Sequence, residues 1–169
     1  MIKQLQDDDA QAYADLRLQA LTEAPLAFGS SPENDIGASL DRARELLGRL
    51  GPDSTILGSF DGDRLVGTTG LYRTPKPKTA HKAHVWGMYV TPACRRQGRA
   101  EALLQATIDF ARALDGVDWI EIGVTSAAPE ALALYEKAGF VLWGTEPDAL
   151  RHEGLSADLH SLGLRITRP

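Results

Sequence analysis

Val90-Thr91-Pro92-Ala93-Cys94-Arg95-Arg96-Gln97-Gly98-Arg99-Ala100 leads from the end of an apolar strand, through a turn dense in arginine, into the start of a helix. The first N–H groups of a helix have no intrahelical partner. They point out of the N-terminus, where the macrodipole is positive. A glycine there, Gly98, lets anion oxygens come close to the backbone. Arg95, Arg96 and Arg99 are placed to add charge-assisted hydrogen bonds. The turn is not a Walker loop, since no Gly-Lys-Ser/Thr follows, and not a dinucleotide fingerprint, since three spaced glycines are missing. The competing reading is a tight turn that keeps Gly98 only for its backbone freedom.

The surrounding charge points the same way. From Arg73 to Ala100 there is no Asp or Glu, while Arg73, Lys76, Lys78, Lys82, Arg95, Arg96 and Arg99 all fall in that stretch of a chain with net charge −5. A basic island in an acidic protein fits a small polyanion, and a solvated loop is the plainer alternative. Upstream, Ala83 to Val90 reads as a strand, and Thr55 to Phe60 and Arg64 to Tyr72 flank Asp61-Gly62-Asp63 as a hairpin. Ile2 to Leu5 is a short strand. A first helix with Tyr13, Leu16, Ala20 and Leu21 at helical spacing ends near Ala24, and a second runs from Ile36 to Leu50. Downstream, the helix after the loop reaches Leu114 with Leu104, Ile108 and Ala111 on its apolar stripe. Trp119 to Val124 is a strand, and Pro129 and Gly139 bracket a short helix through Leu132 and Tyr135. Phe140 to Gly144 begins another strand, and Asp158 to Ile166 forms the last. Short connections make the three central strands antiparallel, while the strand–helix–strand unit from Ala83 to Val124 predicts a parallel, right-handed pair. The expected architecture is one α/β domain over residues 1–169, with a mixed, mostly antiparallel sheet and helices on both faces.

Composition narrows the function classes. With 169 residues, 43% of them hydrophobic, the chain can build one proper core. The negative net charge argues against nucleic-acid binding. No apolar run approaches the roughly 18 residues of a membrane helix. The N-terminus lacks the basic-then-apolar order of a secretory signal, so a soluble, cytoplasmic protein is expected. The lone Cys94 cannot form an internal disulfide and reads as structural or incidental. His81, His84, His152 and His160 have no ligand spacing backed by cysteines, so no metal is expected.

A second motif joins the loop. One strand further on lies Ala131-Leu132-Ala133-Leu134-Tyr135-Glu136-Lys137-Ala138-Gly139-Phe140. The two segments in this order resemble the GNAT superfamily of acyl-CoA-dependent N-acetyltransferases, most strongly from Val85 to Phe140 and least before residue 55. The resemblance implies that Arg95, Arg96, Gln97, Gly98, Arg99 and Ala100 hold the pyrophosphate of acetyl-CoA. It implies that Met88, Tyr89 and Val90 lie on a strand, splayed from its parallel neighbour, whose backbone pairs with the pantetheine arm. Tyr135 falls on the general-acid tyrosine. Two positions depart from the pattern. Ala128 stands where an asparagine is frequent, and His84 where many relatives carry a glutamate base. A histidine of ordinary pKa near 6.5 can serve as a base, although an ordinary sheet histidine facing a neighbouring strand is the plainer reading of the residue alone.

The acceptor is far less legible. In this superfamily it is set by the first helices, their loop and the strands opposite the cofactor, here about Leu18 to Leu50 and Gly144 to His160. Glu23, Glu33 and Asp35 are candidates to attract a cationic amine, and Asp158 and His160 to face the pocket. A small amine, an amino acid or an antibiotic-like compound remains open, as does a peptide N-terminus or lysine. So does a CoA-binding sensor or structural protein without turnover. No nucleic-acid or membrane partner is expected, and the oligomeric state is left open, a homodimer included.

Overall fold

The computed structural model of the protein describes residues 1–166. Among these residues seven strands and four α-helices follow one another as β1 (Ile2–Gln4), α1 (Ala10–Glu23), α2 (Leu40–Gly48), β2 (Ser54–Asp61), β3 (Arg64–Arg73), β4 (Lys82–Val90), α3 (Arg99–Ala113), β5 (Trp119–Thr125), α4 (Pro129–Lys137), β6 (Val141–His152) and β7 (Leu155–Arg165). They form one mixed sheet of order β1-β2-β3-β4-β5-β7-β6. Its single parallel pair is β4 with β5, and the other pairings are antiparallel. Fold class, strand sense and helix order match the sequence expectation.

Side-chain alternation along the strands sorts the core onto two faces. Ile56 of β2 packs with Tyr13, Leu16 and Ala20 of α1 and Ala43 and Leu47 of α2. Its neighbour Leu57 packs with Leu103 of α3 instead. Ala83 and Val85 of β4 and Ile120, Ile122 and Val124 of β5 join Leu104 and Ile108 of α3 and Tyr135 of α4. Thus α1 and α2 cover one face and α3 and α4 the other.

Three boundaries differ from expectation, each for a local reason. The second helix starts at Leu40 rather than Ile36. Asp35 is buried, and its carboxylate accepts the Gly37 N–H at 2.9 Å, which turns the chain before a helix can begin. The helix after the arginine turn starts at Arg99, behind a separate 3₁₀ turn at Pro92–Cys94. The last two strands are longer than their patterns show. As the sheet edge, β6 is mostly exposed and carries no alternation. Its pairing with β7 is irregular between Glu146 and Leu150, around Pro147, which an edge strand tolerates.

Candidate active site

The central feature is a gap. β4 and β5 are in register only from Lys82↔Trp119 to Val85↔Ile122. Beyond that point β4 stays with β3, while β5 continues beside β7 to Thr125↔Leu159. From Trp86 to Val90, the edge of β4 that faces β5 has no strand partner among the described residues. A bulge sits at the start of this open stretch, where the β3–β4 register shifts between Thr68 and Gly70 and Gly87 takes φ +64°. The extra residue flips the alternation. Before it, Ala83 and Val85 face α3 and α4; after it, Met88 and Val90 do, and Tyr89 faces α1.

The loop at the mouth of the gap carries the sequence-predicted anion residues. Gly98 is the N-cap of α3 with φ +73°, a left-handed conformation that glycine adopts without strain. A Cβ at this position would meet no protein atom within 4 Å, so the backbone is open to approach. The arginines have different fates. Arg95 Nε donates to the Val90 carbonyl at 2.8 Å, and its Nη2 pairs with Glu23 at 2.7 Å. Tyr89 Oη donates to the other Glu23 oxygen at 2.6 Å. Burial, then the Glu23 carboxylate, pushes the Tyr89 phenol well above its ordinary value. Arg99 donates to the Phe60 carbonyl and pairs with Asp61 at 2.9 Å. Gln97 bridges, taking a bond from Arg99 and giving one to the Ala93 carbonyl. Arg96, exposed and at φ +57°, has no ion pair among the described residues. Ala100 lies in the first turn of α3.

On the α1/α2 face, His84 and Trp86 project beside a shallow cavity of about 260 Å³ whose walls include Tyr72, Glu121 and Trp143. The Tyr72 ring stacks on His84 with centroids 5.0 Å apart. Glu121 Oε2 lies 3.4 Å from His84 Nδ1, and Glu121 Oε1 takes bonds from Lys82 Nζ and Trp119 Nε1. Burial holds the His84 imidazole below its usual value; the Glu121 charge pulls it up and Lys82 opposes that. Burial and Lys82 thus favour the neutral ring, the state a base requires.

On the opposite face, Tyr135 is 3% exposed and packs with Val85, Ile122 and Val124 beside the gap, with Met88 partly buried against the same cluster. Its ring tilts 60° against Phe140 at 6.0 Å. Burial pushes the phenol well above its ordinary value. Among the described residues its hydroxyl makes no hydrogen bond.

Several acceptor-side expectations change. Asp35 is spent on a buried ion pair with Arg17, at 2.7 Å, and Glu23 on Tyr89 and Arg95. Glu23 and Glu33 are exposed and Asp35 is buried, and of the three Glu33 alone makes no ion pair among the described residues. Asp158 and His160 share the strand face of Leu162, which packs with α3 and α4, so they lie opposite His84. Ser161 lines the cavity instead. Glu121 was not singled out by the sequence; the signal for it is the parallel register that sets it beside His84.

A sheet parted at its one parallel pair, with an anion-ready loop at the mouth of the gap, defines the class of an acyltransferase domain. The chain belongs to the acetyltransferase (GNAT) family, whose model matches residues 18–140. No curated protein matches it in sequence. Among solved structures it is similar to a GCN5-related N-acetyltransferase from Kribbella flavida, at 27% identity and TM-score 0.84, over 98% of this chain and 97% of that one. Ribosomal-protein-alanine N-acetyltransferase from Brucella melitensis is 21% identical with TM-score 0.84, over 98% and 99%. The protein yncA from Salmonella typhimurium, solved with its cofactor acetyl-CoA, is 20% identical with TM-score 0.83, over 98% and 92%.

Proposed function

We propose that this chain transfers the acetyl group of acetyl-CoA to a primary amine of a small molecule or a peptide. One observation carries the reading: the open edge of β4 from Trp86 to Val90 lies between His84 on one face and Tyr135 on the other, with the loop 95–100 at its mouth. The residues fit acetyl-CoA. Unpaired strand groups at 88–90 suit an amide-bearing arm, and the open backbone at Gly98 with Arg96 beside it suits a pyrophosphate. In this reading Arg95 and Arg99 contribute charge at the loop while their internal bonds fix its shape.

When bound, acetyl-CoA supplies the acetyl group as a thioester whose C–S bond breaks as the N–C bond to the amine forms. His84 takes the proton from the acceptor ammonium on its own face of the sheet. The Met88–Val90 backbone offers N–H groups to the oxygen that gains charge. Tyr135, a phenol protonated at neutral pH, donates to the departing thiolate from the other face. The sheet thus separates proton acceptor from proton donor, and the two meet only at the gap. No step requires a metal.

The test is thiol release from acetyl-CoA with a panel of polyamines, amino acids, aminoglycoside-like amines and peptides. Amine-dependent release supports the reading, and the best class names the acceptor. Binding of CoA with release no faster than hydrolysis across the whole panel favours a CoA-binding protein without turnover.

A further inference from the structure

We propose that Glu121 is the positioning residue of His84: it fixes the imidazole as its Nδ1–H tautomer, so that Nε2 is the nitrogen that receives the acceptor's proton. This rests on the reading of His84 as the base. Three features of the structure support it. First, Glu121 is itself held, because Lys82 Nζ and the Trp119 indole N–H both donate to Oε1. A carboxylate tied through one oxygen presents the other in a defined direction, and Oε2 is the atom that lies 3.4 Å from His84 Nδ1. Second, the ring has little freedom to turn away, since Tyr72 stacks on its face at an interplanar angle of 20°. Third, the arrangement follows from backbone register: His84 and Glu121 are direct partners in the short parallel ladder, one pair before the strands part.

The charges around the imidazole are few. Tyr72 faces it from β3, Lys82 from its own strand and Glu121 from β5, while Trp143 of β6 and Ser161 of β7 bring no charge. Of these, Glu121 alone favours the imidazolium. It therefore acts twice, selecting the tautomer before transfer and stabilising the cation after it. The proton balance is simple. The acceptor ammonium loses one proton to Nε2, Nδ1–H stays in place facing Glu121, and Nε2 returns its proton to water before the next turnover.

Glu121→Gln tests this with the whole chain, since the amide keeps the shape and removes the charge. The first readout is the long-range ¹H–¹⁵N spectrum of the imidazoles, with His84 assigned by its loss in His84→Gln. This readout needs no substrate. The wild type is expected to show the Nδ1–H form, and Glu121→Gln to lower the His84 midpoint by about one unit, as for loss of a neighbouring opposite charge. An Nε2–H form in the wild type, or a midpoint that moves by less than about 0.2 units, overturns the inference alone. The second readout is the acid limb of kcat/KM in the wild type and Glu121→Gln, which is expected to follow the midpoint to lower pH. A midpoint that moves while the acid limb stays put overturns the reading of His84 as the base, and the inference with it. Rescue of the wild-type midpoint by Glu121→Asp supports charge over mere packing.

Discussion

The Tyr135 ring packs in the apolar cluster beside the gap, and its hydroxyl makes no protein hydrogen bond among the described residues. Tyr135→Phe keeps the ring and its contact with Phe140. We expect the variant to be as stable as the wild type, to bind CoA normally, and to turn over about ten- to a thousandfold more slowly, the range for losing one acid or one oriented donor. Stopped-assay turnover within about twofold of wild type would make Tyr135 a packing residue, since that is well short of a lost general acid. Asp35 plays the opposite part, structural rather than chemical. Burial alone would raise its carboxyl, but the Arg17 guanidinium and the Gly37 N–H outweigh that and bring it below the ordinary range. Its contribution is therefore complete above the unfolded value of about 3.9 and fades as the pH falls through the lower folded value. Asp35→Ala leaves the Arg17 charge buried, so urea unfolding should show a loss of about 3–5 kcal/mol at pH 7. A loss under about 1 kcal/mol would mean that the pair behaves as a surface one. The sequence marked Tyr135 through its motif. It misjudged Asp35, because nothing in a linear pattern says that an acid eighteen positions beyond Arg17 is folded onto it.

At the scale of elements, the loop before α3 was legible and the edge of the sheet was not. A strand, an arginine turn and a glycine before a helix specify their own geometry locally, and Gly98 does cap α3 at positive φ. Gly98→Val adds strain of about 1–3 kcal/mol at that backbone conformation. It also fills the open space that the pyrophosphate is proposed to approach. Calorimetry should show CoA affinity falling by at least about tenfold, a little over one hydrogen bond's worth of free energy. Unchanged affinity in the folded variant would remove the loop from the cofactor site. Packing against β3 offers a second test. The Trp86 indole lies across Gly70, where a Cβ would come within 2.4 Å of it. Gly70→Ala must displace the ring, and a stability loss of about 1–3 kcal/mol in urea is expected, with a shift of tryptophan emission. No loss would show that the indole is free to move. The lengths of β6 and β7 were hidden for a physical reason. An edge strand exposed on both faces, bulged around Pro147, has no buried side to impose alternation.

For the molecule as a whole, the decisive property of the proposed mechanism is the division of labour between two faces of one sheet. α1 and α2 leave His84 and its cavity on one side, α3 and α4 enclose Tyr135 on the other, and only the parting of β4 from β5 connects them. The motifs named the family because they sit on this gap. The acceptor stayed obscure because the cavity beside His84, where we propose it binds, draws on β3, β4, β5, β6 and β7 at once, with no local pattern to announce it. Within the basic island, Arg73, Lys82, Arg95 and Arg99 are each tied to an internal partner, which leaves Lys76, Lys78 and Arg96 without an ion pair among the described residues, Arg96 alone of them on the loop before α3. Since the proposed transfer needs no Lewis acid, a chelator should leave turnover unchanged; a loss restored by added zinc would contradict this. The most direct test of the central claim is a crystal structure of the chain with CoA bound. The account predicts the pyrophosphate against the backbone of residues 95–100 and the pantetheine arm along the open edge of Trp86–Val90, its sulfur on the side of Tyr135. CoA bound anywhere else, or a β4–β5 gap closed in its presence, would contradict it.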